Sequence, residues 1–245
     1  MGGLILRCLI LGFVCFLSLS GLSTEGFSRD DDSSDQQLCY EVTHTQSGRL
    51  VNQLEARATL VVDGDTIRIL YRNRRFNIRF LSIDTPETHY LGQSQGYWGE
   101  KAHEYLAELL PNGTDVTIEL DQESCDQYGR ILGHVWKDNE NINRRMIESG
   151  LAVNYCIYPN QLYCAEYASI VEENIREKKG IFGDPGFELP YLWRQRVSGR
   201  SSTKFVGNVF SKEVFPPGSL DSVPVSSRIF FWTQSQIEEP YHMMR

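Results

Sequence analysis

Residues 57–83 read R-A-T-L-V-V-D-G-D-T-I-R-I-L-Y-R-N-R-R-F-N-I-R-F-L-S-I, three β-rich runs separated by two turn signals. The apolar run Ala58–Val62 is followed by Asp63-Gly64, a dipeptide typical of a two-residue hairpin. Thr66–Tyr71 forms the second run, Arg72-Asn73-Arg74-Arg75 the second turn, and Phe76–Ile83 the third run. Successive side chains of a strand point to opposite faces. Phe76, Ile78 and Phe80 therefore share one face, while Asn77 and Arg79 share the other, and Arg79 points away from the apolar stripe.

Outward from this meander, Glu100–Leu110 has the apolar period of an amphipathic helix, with Pro111 as its stop. Asp115–Leu120 and Arg130–Trp136 read as two further strands, Ile142–Ser149 as a short helix ending at Gly150, and Tyr163–Lys179 as a last helix closed by Gly180. Five strands with three helices predict an α+β chain built on a small closed β-barrel of the OB type, over residues 54–186. Residues 187–203 read as a linker, with S-G-R-S-S-T at Ser198–Thr203, and residues 204–245 as a small C-terminal appendage.

At the other end, Arg7 precedes the apolar run Cys8–Leu19, and small residues follow at Ser20 and Ser23. This is the pattern of a secretory signal peptide over residues 1–23. The run is short for a bilayer span of about 20 residues. The expected protein is secreted or periplasmic, without stable membrane association after cleavage, and tethered to a membrane if the segment stays. Residues 24–53 form a leader, in which the polar and acidic Ser28–Gln37 is expected to be disordered. Two of the six cysteines fall within the signal, and the remaining four allow three pairings. Cys156 and Cys164 flank a Tyr-Pro-Asn turn and are the expected disulfide, which leaves Cys39 with Cys125.

The net charge of −8 has the wrong sign for a general nucleic-acid binder, whose phosphate affinity comes from clustered Lys and Arg. Any such function must rest on a local site. Three segments supply one: Val62–Thr66, V-D-G-D-T; Arg79–Glu87, R-F-L-S-I-D-T-P-E; and Asp126–Arg130, D-Q-Y-G-R. With these motifs in this order, the chain resembles the thermonuclease, or staphylococcal-nuclease-like, family from about Arg57 to Gly183. The resemblance implies an exported calcium-dependent nuclease that hydrolyses DNA and RNA and leaves 3′-phosphate ends. No protein partner is inferred.

The residues make physical sense of that chemistry. Asp65 and Asp84, on neighbouring strands, can converge at one barrel edge and, with the backbone carbonyl of Thr85, offer hard oxygen ligands to a cation. The residues alone do not separate calcium from magnesium; the resemblance implies calcium. Glu87 is placed to accept a proton from water. Arg79 and Arg130 match the family's two arginines, each a planar fork for phosphate oxygens. By the same resemblance Asp63 orients a metal-bound water, Tyr128 contacts phosphate, and Tyr155 and Tyr158 wall a nucleotide-base pocket. Asp63 could equally serve as a turn residue, and the two later tyrosines as packing around the core or the disulfide.

Two departures stand out. Gln93, Gln95 and Gln127 lie where some family members carry lysines, which weakens substrate capture. Lys204–Gly218 resembles a small G-N-x-x-S module found beside some bacterial nuclease domains, but it is degenerate, for residues 204–245 contain no cysteine. The competing functional reading is a catalytically weak or inactive OB module that binds nucleic acid or protein. Retention of Asp65, Arg79, Asp84, Glu87 and Arg130 favours catalysis.

Overall fold

The β-rich meander folds as its alternation demands. In the computed structural model, which describes residues 30–244, β1 (Gln53–Asp63), β2 (Thr66–Tyr71) and β3 (Arg74–Phe80) pair antiparallel in sequence. The expected signal peptide lies outside the described residues. Asp63 pairs with Thr66, so the two-residue turn is Gly64-Asp65, one step beyond the predicted Asp63-Gly64. A short β4 (Ile83–Asp84) follows the meander. The chain then forms α2 (Tyr97–Leu109), β5 (Asp115–Glu119), β6 (Ile131–Lys137) and β7 (Glu140–Asn141). A parallel pairing of β3 with β6, Arg79 opposite Leu132, closes five strands into a barrel. Ile67, Ile69, Ile78, Phe80, Ile118, Ile131 and Val135 fill it, all essentially inaccessible to solvent.

Next come α3 (Ile142–Glu148), β8 (Val153–Asn154), β9 (Cys156–Ile157) and α4 (Cys164–Glu177). Asn141 caps α3 by accepting from the Arg144 amide, which satisfies one of the donors a helix start leaves open. β4 pairs antiparallel with β8, which brings Asp84 opposite Val153.

Both expected disulfides are present, Cys156–Cys164 and Cys39–Cys125. Among the described residues there are five α-helices rather than the three expected. The first, α1 (Asp30–Thr43), includes most of the segment read as disordered. Its composition gives little reason to fold alone. The disulfide to Cys125, buried Cys39 and Thr43, and a hydrogen bond from Ser124 Oγ to Thr43 Oγ1 at 2.9 Å hold it to the barrel. The second, α5 (Pro190–Ser198), falls within the expected linker, anchored by buried Pro190, Tyr191 and Trp193.

The appendage is joined to the barrel rather than set apart from it. β10 (Phe205–Asn208), β11 (Glu213–Phe215), β12 (Arg228–Phe231) and β13 (His242–Met243) form a sheet that continues through a parallel pairing of β12 onto β9. Among the described residues, no helix is long and apolar enough to cross a membrane.

Candidate active site at the barrel rim

Four acidic side chains gather where β1 and β4 end and β2 begins. Asp65, in the β1–β2 turn, accepts from the Thr66 hydroxyl at 3.0 Å and from the Thr85 amide at 3.1 Å. Asp84 is fully buried at the end of β4. Asp63 accepts from the Thr88 amide and hydroxyl at 3.3 and 3.1 Å. Glu87 lies between them, on the loop after Pro86.

That loop is held by close approach. A Cβ on Gly64 would come within 2.6 Å of Thr85 Oγ1 and 2.8 Å of Ala102 in α2, and one on Gly99 would come within 2.5 Å of the Glu87 carbonyl oxygen. Glycine at both positions lets the turn and α2 pinch the Thr85–Glu87 segment in place.

Arg79 is the hub of the cluster. Its Nη2 lies 3.0 Å from Asp65 Oδ2 and 3.0 Å from Asp84 Oδ1, while Nη1 donates to the carbonyls of Phe80 and Ile83 at 2.6 and 2.9 Å. Both carboxylates reach one nitrogen from separate segments of the chain. Contrary to what the sequence suggested, Asp84 does not close the third strand: β3 ends at Phe80, and Asp84 lies on β4, which pairs with β8, so it meets Asp65 through Arg79 rather than through a shared strand pair.

Burial raises the Glu87 carboxyl to about 7, with the nearby Asp65 and Asp63 charges adding to the shift against the pull of an arginine, Arg194. Burial likewise raises Asp84 to about 6, against the opposing pull of Arg194 and Arg79. Asp63 is also raised, first by burial and then by Asp65. Packing several carboxylates into one poorly solvated pocket penalises their charged forms, and a cation relieves that penalty.

The donor set suits a hard cation. Asp65, Asp84 and the Thr85 carbonyl are all oxygen ligands, and the buried Thr85 Oγ1 has no hydrogen-bond partner among the described residues. Among those residues no three His, Cys, Asp or Glu side chains are arranged to hold a metal by themselves, so a cation here would depend on backbone and water oxygens as well.

Arg130 is placed differently. Its Nε lies 2.6 Å from Asp126 Oδ2, and its guanidinium carbon sits 5.6 Å from the centre of the exposed Tyr128 ring. Asp126 also accepts from the amides of Tyr128 and Arg130, so D-Q-Y-G-R is a self-braced turn. Gly129 takes φ +72°, and a Cβ there would strike Asp35 of α1. Arg130 directly precedes β6, whose Ile131 pairs with Ile78, the neighbour of Arg79 on β3.

The tyrosines expected to wall a base pocket are already packed. Tyr155 stacks on Tyr191 of α5, centroids 5.3 Å apart, and contacts Phe230; its hydroxyl accepts from Lys204 Nζ at 3.1 Å. Tyr158 stacks on Phe231 and contacts Tyr241. Both rings, partly buried, thus pack against aromatic side chains from α5 and the C-terminal residues.

One site residue was absent from the sequence reading. Arg194 of α5 donates through Nη2 to both Asp84 oxygens, at 2.9 and 2.8 Å, and through Nη1 to Glu87. No local motif marks it, because it lies 110 residues from Asp84. Gln95 also gains a role: its side chain accepts from the Glu87 amide and donates to the Glu188 carbonyl, tying the catalytic loop to the approach to α5.

The staphylococcal nuclease homologue family matches residues 77–184. Endonuclease YncB of Bacillus subtilis (strain 168) is 30% identical over 174 residues, covering 67% of this chain and 79% of the relative. The chain belongs to the staphylococcal nuclease homologue family. Other relatives of this nuclease family extend the picture. Endonuclease YhcR of Bacillus subtilis (strain 168) is 32% identical over 199 residues, 76% of this chain but 16% of the relative, so the chain spans less than a fifth of that protein. Thermonuclease of Staphylococcus hyicus is 29% identical over 133 residues, 54% of this chain and 78% of the relative.

Proposed function

We propose that the chain is an exported calcium-dependent nuclease that hydrolyses phosphodiester bonds of DNA and RNA and leaves 3′-phosphate ends. The observation that carries this reading is the convergence of Asp65 and Asp84 on a single nitrogen of Arg79. The names of the relatives support it. Calcium, when bound, supplies positive charge for a phosphate oxygen and orients a water.

The protein groups do the rest. Glu87, raised to about 7 by burial, takes a proton from the attacking water oxygen at near-neutral pH. That oxygen bonds to phosphorus as the bond to the 5′ oxygen breaks, and the leaving oxygen collects a proton from solvent. Arg79, pinned by two carbonyls and two carboxylates, presents a fixed positive edge to the reacting phosphate. Arg130, held only by its own loop, turns from Asp126 to the equatorial oxygens as their charge grows. Tyr128 is exposed beside it and contacts the same phosphate. Asp63 orients the bound water.

A binding-only module has one observation in its favour, the closure of Asp84 and Glu87 by Arg194. Digestion of single- and double-stranded DNA and of RNA in calcium, magnesium or chelator separates the readings. The expected result is calcium-dependent cutting whose ends accept polymerase extension only after phosphatase treatment. Absence of cutting in every metal overturns the nuclease reading, and cutting that persists in chelator overturns calcium dependence. Export predicts a mature N-terminus near residue 24, read by sequencing the purified protein.

A further inference from the structure

Arg194 brings a second guanidinium to carboxylates that Arg79 already serves. Its Nη2 bridges both Asp84 oxygens, and its Nη1 reaches Glu87. With Arg79 on Oδ1 as well, both oxygens of Asp84 face guanidinium N–H groups. Burial opposes the Arg194 charge, but Asp84 and Glu87 outweigh it and raise the group above its ordinary value. A divalent ion on Asp84 would sit beside this fixed positive charge and be repelled in a poorly solvated pocket.

The side chain is not what docks its helix. Tyr191 and Trp193, which precede Arg194 in α5, are buried. The Tyr191 hydroxyl accepts from Arg228 at 2.6 Å, its ring stacks on Tyr155, and Gln95 holds the Glu188 carbonyl. The backbone of α5 is thus anchored independently, while the long Arg194 side chain remains 22% exposed and has room to turn out.

We propose that Arg194 is a tethered counter-ion that competes with the divalent cation for Asp84 and Glu87. In the cation-free protein it keeps the two carboxylates paired and together. On loading it yields Asp84, so its grip sets the cation concentration at which the site fills. This inference rests on the reading of Asp84 as a cation ligand.

Calcium chloride titrated calorimetrically into the wild-type protein and into Arg194→Gln and Arg194→Lys, each checked for folding by circular dichroism, tests it. Arg194→Gln removes the competitor and is expected to bind calcium about tenfold tighter or better, a change of about 1.4 kcal/mol. Arg194→Lys keeps the charge without the fork and should fall between. A purely structural role would lower the melting temperature and leave calcium affinity unchanged. Unchanged or weaker calcium binding in whichever variant folds overturns the proposal. Should neither fold, the guanidinium N–H signals of Arg194 in the NMR spectrum of the wild type decide: signals that shift or are lost in saturating calcium support displacement, and unchanged signals overturn it. A wild type that neither binds calcium nor cuts DNA in it removes the underlying calcium reading instead.

Discussion

Arg79 on β3 and Arg130 just before the paired strand β6 meet opposite surroundings. Arg79 is 14% exposed and spends its guanidinium on two backbone carbonyls and two carboxylates from separate segments. Arg130 is 31% exposed, and its ion pair is with an aspartate four residues away in the same turn. The first arginine is part of the fold's electrostatic framework and is preorganised at no further cost. The second can leave its partner cheaply, because a local, partly solvated ion pair is worth only about 0–1 kcal/mol. A hydrolytic site benefits from both: one charge fixed before substrate arrives, and one that follows the charge developing on phosphorus.

The sharpest way to break this contrast is Arg79→Ala. It should reduce DNA cleavage by orders of magnitude and, by stranding Asp65 in a buried pocket and leaving Asp84 to Arg194 alone, also cost about 3–5 kcal/mol of stability. Digestion rates beside urea denaturation check this; full stability in the variant would mean that Arg79 is no framework residue. Arg130→Ala should lose activity heavily while its denaturation midpoint moves by less than about 1 kcal/mol. A large stability loss there would erase the distinction between the two arginines.

The smallest effect concerns pH. Because burial raises the Glu87 carboxyl from 4.5 to about 7, its neutral form favours the folded state in chelator. That contribution is complete below about 4.5 and fades as pH rises through about 7. The melting temperature of the metal-free protein should therefore decline over that window, less steeply in Glu87→Gln. An identical decline in the variant would assign the effect to other groups. Arg130→Ala should leave the decline unaltered, since Glu87 lies on the other side of the comparison.

Much of the site was legible before the fold was known. Alternation placed Arg79 opposite the apolar face of its strand, and the hairpin signal put Asp65 beside a turn, although the turn lies one residue later. The disulfides followed from a short flanked turn and from elimination. What escaped the reading depends on contacts between distant segments. Helix α1 has little apolar pattern and is tied down by Cys39–Cys125. Helix α5 hides in a segment that reads as a linker because Tyr191 and Trp193 find their partners on other elements.

The sequence by itself determined the five strands of a small barrel and, Arg194 apart, the acidic and basic groups at its rim, because those depend on short-range periodicity and local motifs. Only the tertiary structure decided how those groups are paired. Tyr155 and Tyr158 meet C-terminal rings instead of open solvent, Gln95 becomes a strut, and Arg194 closes on Asp84 from the far end of the chain. Charge pairing inside a protein is set by distance in space, and no periodicity along the chain encodes a contact across 110 residues.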